Sequence, residues 1–256
     1  MRPFCHKLMV IDDLARPHSC DLLLDQNLFE KDDDRYAGHI PPSSLRLLGP
    51  RYALLREEFV RARESLRERD GHIRRLFVFF GGSDPTNETE KALHAVNLLR
   101  PMSMEVDVVL GEANPHRKEL QQACASLPGT RCHVQTPHMA ELMAAADLSL
   151  GAGGSATWER CFLGLPSITV VTADNQEETT SAVARTGAIR YAGRSGEADV
   201  SELARLLDAL MRAPARVKEM GQRSLGIMGG DDFKGAAGVA AALQEVGLAE
   251  EVSKWC

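Results

Sequence analysis

From residue 75 to residue 211, short apolar runs alternate with longer segments of helical period. The runs are rich in β-branched or aromatic residues and are almost continuously apolar, as strands buried on both faces of a parallel sheet are. The longer segments carry their apolar residues on one stripe, which is typical of helices that cover such a sheet. The alternation therefore predicts an α/β fold built from repeated βα units. The predicted strands are residues 76–80, 106–110, 132–135, 148–150, 167–171 and 188–191, and the predicted helices are residues 88–99, 115–125, 138–146, 156–163, 176–186 and 201–211.

The front of the chain follows a different pattern. Two short strands are predicted at residues 7–12 and 21–24, followed by a polar loop and an amphipathic helix at residues 56–69. Two strands alone would leave pairing groups and an apolar face uncovered, so we expect the front to be the remnant of a second α/β domain whose upstream sequence is missing. The alternative is that the front pads the edge of the main sheet.

The chain is therefore expected to contain three segments. Its 256 residues suit one complete domain plus part of another. Residues 1–70 are predicted to be the N-terminal remnant, residues 71–233 the main domain, and residues 234–256 a C-terminal helix and tail. Within the last segment, residues 236–246 have the pattern of a small-residue helix, and residues 249–256 are expected to be a frayed tail.

Composition and charge exclude several classes of protein. The 36 acidic residues outnumber the 30 basic ones, and no dense Lys/Arg cluster is interleaved with aromatic residues, so nucleic acid is not an expected partner. The six cysteines form no CxxC pair or other tight spacing, so no metal site is expected. No run approaches the ~20 apolar residues that span a bilayer, and the start has no signal-like stretch. We therefore expect a cytoplasmic protein with no membrane partner.

A glycine pair follows the first strand of the main sheet, in the sequence FFGGSDPTN. Gly81 and Gly82 would let backbone amides approach an anion closely, and Ser83 could add a hydroxyl. A tight βα turn with a capping residue needs much the same residues. Phosphate contact and a plain turn therefore both remain open at this loop.

The second unusual loop, LGAGGSATWE, carries three glycines in four residues, which exceeds what a turn requires. Gly151, Gly153 and Gly154 would present backbone N–H groups that suit a pyrophosphate, and Ser155 is placed to cap the following helix. Glu159 falls one turn into that helix, where a carboxylate can accept hydrogen bonds from two vicinal ribose hydroxyls. The alternative for Glu159 is a solvated charge that is favourable near a helix start.

A third loop, VTADNQEET, carries two amide side chains. Asn175 and Gln176 can both donate and accept hydrogen bonds, as recognition of a sugar or a diphosphate requires, although such residues also serve as plain helix caps. The three loops are expected at one edge of the sheet, because the carboxyl ends of parallel strands lie together. This conjunction predicts a site for a nucleotide-linked sugar.

Several motifs of the chain resemble those of one known family. They are VIDDLA, CDLLLDQN, GPRYALLREEF, FFGGSDPTN, ADLSLGAGGSATWERCFLGLP and TADNQE. Together they resemble the UDP-2,4-diacetamido-2,4,6-trideoxy-β-L-altropyranose hydrolases of pseudaminic acid biosynthesis, which are relatives of the MurG-type glycosyltransferases. The resemblance implies a GT-B fold with two Rossmann-like domains, of which the C-terminal one, here residues 71–233, holds UDP. It also implies that this chain lacks the front half of its N-terminal domain.

The resemblance further implies roles for particular residues. Gly82 and Ser83 would face the diphosphate, and Glu159 would face the ribose. Asn175 and Gln176 would lie on the sugar and phosphate side. The implied reaction is attack of water at the anomeric carbon with loss of UDP, and it requires no cofactor and no metal.

The catalytic residue stays unassigned. The family's base is a histidine in a glycine-rich loop after the first strand of the N-terminal domain, and no strand-GxGH segment opens this chain. Gly38 and His39 lie behind the second predicted strand, so the role is not transferred to His39, and the chain as it stands could be inactive. Two alternatives to hydrolysis remain: a GT-B glycosyltransferase that uses the same UDP loops, and a non-catalytic UDP-sugar-binding module.

Overall fold

The computed structural model of the protein describes residues 5–30, 35–99 and 104–247, and the predicted tail at residues 249–256 lies outside them. Strands and helices alternate much as the apolar pattern predicts. The strands are β1 (Met9–Ile11), β2 (Leu22–Asp25), β3 (Leu45–Leu48), β4 (Arg75–Phe79), β5 (Glu105–Leu110), β6 (Thr130–Val134), β7 (Leu148–Ala152), β8 (Ser167–Val171) and β9 (Ile189–Arg194). The α-helices are α1 (Glu57–Glu64), α2 (Glu88–Leu98), α3 (Arg117–Ser126), α4 (Met139–Ala145), α5 (Ala156–Phe162), α6 (Glu177–Arg185), α7 (Val200–Met211), α8 (Pro214–Ile227) and α9 (Gly235–Glu245). Within the described residues, no helix combines the length and the apolar character needed to cross a membrane.

The chain divides into two compact units. The larger unit is Arg56–Gly226, and the smaller unit combines the described residues of Met1–Leu55 with those of Ile227–Cys256. The first boundary thus lies before the position expected at residue 70. The C-terminal segment, expected to be separate, belongs to the smaller unit.

Two arginines fix the segment after α1 to the larger unit. The buried Arg69 guanidinium donates to the carbonyl oxygens of Met143 (3.0 Å), Ala146 (2.8 Å) and Leu163 (2.6 Å), which lie at the ends of α4 and α5. Arg67 donates to the same carbonyl oxygen of Ala146 at 3.2 Å. Both arginines lie beyond the end of α1, which stops before the predicted position at residue 69. These contacts explain why the boundary precedes the segment instead of following it.

The larger unit contains one parallel sheet in the order β6-β5-β4-β7-β8-β9. From β4, the next two strands of the chain, β5 and β6, lie on one side. Strands β7, β8 and β9 lie on the other side. The strand order therefore reverses between the paired strands β4 and β7. One face of the sheet forms the main core. Its buried strand residues include Leu76, Val78, Val106, Val108, Leu148, Leu150, Ile168 and Val170. In open α/β sheets, ligands bind at the carboxyl ends of the strands where the order reverses.

The smaller unit contains a parallel sheet in the order β1-β2-β3. Its central strand is buried on both faces. Leu22 and Leu24 pack with Val239 of α9, while Leu23 packs with Tyr36 on the opposite face. Helix α9 therefore completes the core of this unit, which is why it is not a separate segment.

Among the described residues, one strand and one α-helix were not predicted from the sequence. Strand β3 has four residues, of which only Leu47 is buried, so its pattern does not stand out from the polar loop around it. Helix α8 contains Gly221 and Gly226, which lower helix propensity. Val217 and Met220 of this helix are nevertheless buried in the main core. Tertiary packing therefore outweighs the local preference at α8.

Replacing Arg69 with methionine is expected to destabilise the larger unit. Methionine keeps an apolar stem but leaves buried carbonyl groups without donors, which costs about 3 kcal/mol. Urea unfolding followed by circular dichroism would measure the change. Arg205→Met, at a side chain that is 65% exposed, is the matched control and should change stability by less than about 0.5 kcal/mol. Equal stability of the two variants would contradict the anchoring role of Arg69.

Candidate functional site

The three loops singled out in the sequence leave from neighbouring strands. Strands β4 and β7 are paired, with Phe79 opposite Gly151, and β7 is paired with β8, with Ala152 opposite Val170. All three strands are parallel, so the loops that follow them lie at the same edge of the sheet. The three loops therefore converge where the strand order reverses.

The loop after β4 depends on close backbone contact. Gly81 has a φ of 95°, a left-handed conformation that favours glycine. The Gly82 carbonyl packs against Gly111, where an added Cβ would lie 2.0 Å from the Gly82 oxygen. An added Cβ at Gly81 or at Gly82 would meet no atom within 4 Å. These two glycines therefore border open space at the sheet edge.

Asp84 caps the helix after this loop, and Ser83 takes no part in the capping. The Asp84 carboxylate accepts hydrogen bonds from the backbone N–H groups of Glu88 and Thr89, both at 2.9 Å, and Asp84 is 2% exposed. Ser83 is exposed, and its hydroxyl makes no hydrogen bond with any described residue. The Ser83 hydroxyl is thus available to a ligand.

Two of the three glycines at the end of β7, Gly151 within the strand and Gly153 just after it, are required by packing. A Cβ at Gly151 would lie 2.4 Å from the carbonyl oxygen of Phe79, and one at Gly153 would lie 2.2 Å from Oγ1 of Thr180. The N–H of Gly153 also donates to the carbonyl oxygen of Val170 at 3.1 Å. The expectation that Gly153 presents its amide to an anion is therefore corrected, because that amide already has a partner in the sheet.

The unpartnered amides of this loop begin at Gly154. The backbone N–H groups of Gly154 and Ser155 donate to no described residue. Ser155 precedes α5 with φ −55° and ψ −29°, and its side chain does not cap the helix, contrary to expectation. The Ser155 side chain is exposed instead. The loop therefore offers two adjacent backbone donors and a hydroxyl.

Gln176 links the loop after β8 to the glycine loop. Its Oε1 accepts hydrogen bonds from the backbone N–H (3.0 Å) and the hydroxyl (3.2 Å) of Thr172. A backbone N–H can only donate, so this contact fixes Oε1 on the Thr172 side. The Nε2 amide then lies beside Gly154, 3.6 Å from where a Cβ would be. Asn175 is exposed on the preceding turn, and its side chain bonds to no described residue.

Glu159 lies on α5 and keeps 19% of its side chain exposed. Arg56 Nη2 lies 3.3 Å from Glu159 Oε1, and Arg56 Nη1 lies 2.5 Å from Glu58 Oε1. Burial raises the pKa of the Glu159 carboxyl, and the charge of Arg56 opposes that shift. Arg56 and Glu58 were not singled out in the sequence. Their only signal was the charged run REE within the motif GPRYALLREEF.

Arg160 is a buried cation next to the same loop. Its side chain is fully buried, and Nη2 donates to the carbonyl oxygen of Ala152 (2.8 Å) and to the hydroxyl of Thr157 (3.0 Å). Nε and Nη1 have no hydrogen-bond partner among the described residues. Burial lowers the pKa of Arg160 to about 10. Nothing in the sequence distinguished Arg160 from a solvent-facing arginine, because its burial depends on how α5 packs against β7.

A cavity of about 400 Å³ opens at the ends of β8 and β9. Its lining includes Thr172 and Asp174 of the loop after β8, and Arg194 and Ser195 from the end of β9. Arg194 pairs with Asp174 at 2.7 Å. The cavity therefore adjoins the loop that carries Gln176.

The smaller sheet has a polar edge of its own, which was not predicted. Tyr36 Oη lies 2.8 Å from Asp25 Oδ2 and 2.9 Å from the carbonyl oxygen of Asp12. Burial raises the pKa of Asp25 to about 6. Asp12 and Asp25 also line a cavity of about 220 Å³. The smaller unit thus places a buried carboxyl with a raised pKa at the end of β2.

Comparisons with known proteins agree on the fold and on one family. The model of the glycosyltransferase family 28 C-terminal domain matches residues 76–236. The structure resembles the crystal structure of MurG from Acinetobacter baumannii, with a TM-score of 0.57 and 14% identity over 87% of this chain and 63% of that chain. The α/β fold of GT-B type predicted from the sequence is confirmed.

Two curated relatives are similar in sequence. The UDP-2,4-diacetamido-2,4,6-trideoxy-β-L-altropyranose hydrolase of Campylobacter jejuni is 28% identical over 181 residues, which cover 71% of this chain and 63% of that protein. The spore coat polysaccharide biosynthesis protein SpsG of Bacillus subtilis is 30% identical over 141 residues, which cover 55% of this chain and 41% of that protein. The chain therefore spans less than two thirds of the length of either relative.

Gly153→Ala is expected to lower the free energy of unfolding by about 1 to 3 kcal/mol through overpacking. The added Cβ would lie 2.2 Å from Thr180 Oγ1 and 3.4 Å from Thr180 Cβ. Thr180→Ala removes the closer atom, so the double variant should recover most of the loss. Thermal unfolding of the two single variants and the double variant would measure this coupling. Simple addition of the two single effects would show that Thr180 is not the obstacle.

Proposed function

This chain belongs to the glycosyltransferase family 28 C-terminal domain family, and we propose that it binds a UDP-linked sugar at the edge formed by the loops after β4, β7 and β8. One observation carries the proposal. The backbone donors of Gly154 and Ser155 and the Nε2 donor of Gln176 lie at the point where the strand order reverses, and no residue that the structure describes accepts a hydrogen bond from them. Such a set of donors suits an anion.

The diphosphate is proposed to bind the two glycine loops. Gly154 and Ser155 would donate backbone hydrogen bonds from one side, while Gly82 and the Ser83 hydroxyl approach from the other. Gly81 provides the backbone turn that brings Gly82 to the edge. Hydrogen bonds to a charged group are roughly twice as strong as neutral ones, so a few such donors can hold the ligand. Gly151 and Gly153 would act indirectly, by letting the strand and the loop pack closely.

The two ends of the ligand are proposed to bind on either side of the diphosphate. Glu159 would accept hydrogen bonds from the ribose hydroxyls through the carboxylate oxygen that Arg56 does not contact. Gln176 and the exposed Asn175 would contact the sugar and its phosphate. The cavity of about 400 Å³ that adjoins Thr172 offers room for sugar substituents on that side.

The proposed reaction of the protein is hydrolysis of UDP-2,4-diacetamido-2,4,6-trideoxy-β-L-altropyranose, as in pseudaminic acid biosynthesis. The name of the Campylobacter jejuni relative supports this choice. Water would attack the anomeric carbon, and the bond from that carbon to the UDP oxygen would break with UDP keeping the electron pair. The amides of Gly154 and Ser155 would stabilise the charge on the departing UDP. No residue of this chain is assigned as the base.

Transfer of the sugar to an acceptor is the second candidate. The description of the family and the likeness to MurG favour it. Incubating the protein with the UDP-sugar alone separates the two reactions. Release of free sugar and UDP supports hydrolysis, whereas UDP release that requires an added acceptor supports transfer. Failure of the folded protein to bind UDP at millimolar concentration would overturn both candidates.

Glu159→Ala is expected to weaken UDP binding by about 1 to 3 kcal/mol, the range for losing hydrogen bonds to a charged group. Isothermal titration calorimetry would measure the change. Glu141→Ala, at a side chain that is 76% exposed, is the matched control and should bind UDP as the parent does. An unchanged affinity in the Glu159 variant would remove this residue from the site.

Gly82→Ala is expected to fold normally but to bind UDP about tenfold more weakly. The new methyl group would meet no protein atom within 4 Å, so it would extend into the space proposed for the diphosphate and disturb a hydrogen bond to it. Gly226→Ala, also in open space but on α8, controls for the loss of a glycine. Thermal unfolding and UDP titration should both be done. Parent-like affinity in Gly82→Ala would place the diphosphate elsewhere.

A further inference from the structure

Arg56 bridges two carboxylates in the larger unit. Its Nη2 lies 3.3 Å from Glu159 Oε1, and its Nη1 lies 2.5 Å from Glu58 Oε1. Arg56 is 53% exposed, whereas Glu58 and Glu159 are 27% and 19% exposed. An exposed ion pair whose side chains move freely contributes little interaction free energy. The role of Arg56 therefore depends on whether its guanidinium is held in place.

Two further contacts hold the guanidinium. The backbone N–H of Ala140, at the start of α4, lies 3.4 Å from Glu58 Oε2, so Glu58 is itself tied to a helix. The Arg56 guanidinium also lies 5.1 Å from the ring centre of Phe59, which is fully buried. A cation at this distance over an aromatic face is attracted to it. The orientation of Arg56 toward Glu159 is therefore supported from two sides.

The Glu159 carboxylate needs such a partner. Burial raises the pKa of Glu159, and the nearby charge of Glu58 raises it further, while the charges of Arg56 and Arg160 lower it. Oε1 faces Arg56, and Oε2 has no hydrogen bond with any described residue. One oxygen is thus held by the protein, and the other remains an acceptor.

We propose that Arg56 is a positioning residue that makes this site select ribonucleotides over 2′-deoxyribonucleotides. By holding Oε1 of Glu159, it aims Oε2 at the vicinal hydroxyls of the ribose. The inference rests on the proposed binding of UDP and adds the residue that sets the sugar preference of that site. Arg56 itself touches neither the phosphates nor the ribose.

The test compares UDP with 2′-deoxy-UDP by calorimetry. The parent protein should prefer UDP about tenfold, the loss of one hydrogen bond to a charged group. In Arg56→Met, the affinity for UDP should fall toward that for 2′-deoxy-UDP, which should change little. Arg56→Lys keeps the charge and should retain part of the preference. Arg61→Met, on the exposed side of α1 at a residue that is 73% exposed, is the control and should match the parent.

Measuring the preference for UDP over 2′-deoxy-UDP at several pH values gives a second test. A purely structural role of Arg56 would not change how this preference depends on pH. A protonated carboxyl is a poorer acceptor for hydroxyl donors than a carboxylate. Without Arg56, Glu159 loses a group that lowers its pKa, and it retains Glu58 and Arg160 as charged neighbours. As the pH falls from about 8 to about 5, any remaining preference for UDP should therefore disappear at a higher pH in Arg56→Met than in the parent.

Several results would overturn the inference. Equal weakening of both ligands in Arg56→Met would mean that Arg56 binds the phosphates directly, and tighter UDP binding would mean that it competes with the ribose. An unchanged preference in Arg56→Met would also reject the inference.

The parent protein separates this inference from the proposed function. If the parent binds UDP without preferring it to 2′-deoxy-UDP, the ribose role of Glu159 is wrong. If the parent binds neither ligand, the proposed function itself is wrong. Should Arg56→Met not fold, a folded Arg56→Lys with a reduced preference for UDP supports the inference, and one with the full preference of the parent rejects it.

Discussion

The close approach of the backbone at the end of β7 is the constraint on which the candidate site depends. A Cβ on Gly151 would lie 2.4 Å from the carbonyl oxygen of Phe79, and one on Gly153 would lie 2.2 Å from Thr180 Oγ1. With the chain held at both points, the next two residues, Gly154 and Ser155, carry N–H groups that no described residue accepts. The packing of two glycines therefore decides where the unpartnered donors lie.

Two adjacent side chains of opposite charge flank this loop in different surroundings. Arg160 is fully buried, and two of its nitrogens have no partner among the described residues, whereas Glu159 is partly exposed and faces Arg56. Burying an incompletely bonded cation costs folding free energy. Arg160 lies beside the loop proposed to hold the diphosphate, where its Nη2 donates to the carbonyl oxygen of Ala152.

The fold alone does not decide the reaction. The hydrolysis and transfer of a UDP-sugar share UDP as the leaving group, so the same loops can serve either one. The loops after β4, β7 and β8 hold and stabilise that leaving group in the proposed complex. What separates the two reactions is the group that attacks the anomeric carbon, which is why the decisive experiment varies the acceptor.

Local patterns in the sequence determined the βα alternation of the larger unit and the positions of its three polar loops, because strand period, helix period and glycine-rich turns are properties of neighbouring residues. Tertiary structure alone decided that Gly153 packs against Thr180, that Arg160 is buried, and that Arg56 reaches Glu159. It also placed α9 on the sheet of the smaller unit. These features depend on contacts between residues far apart in the chain or on which face of a helix is covered, and no local pattern records them.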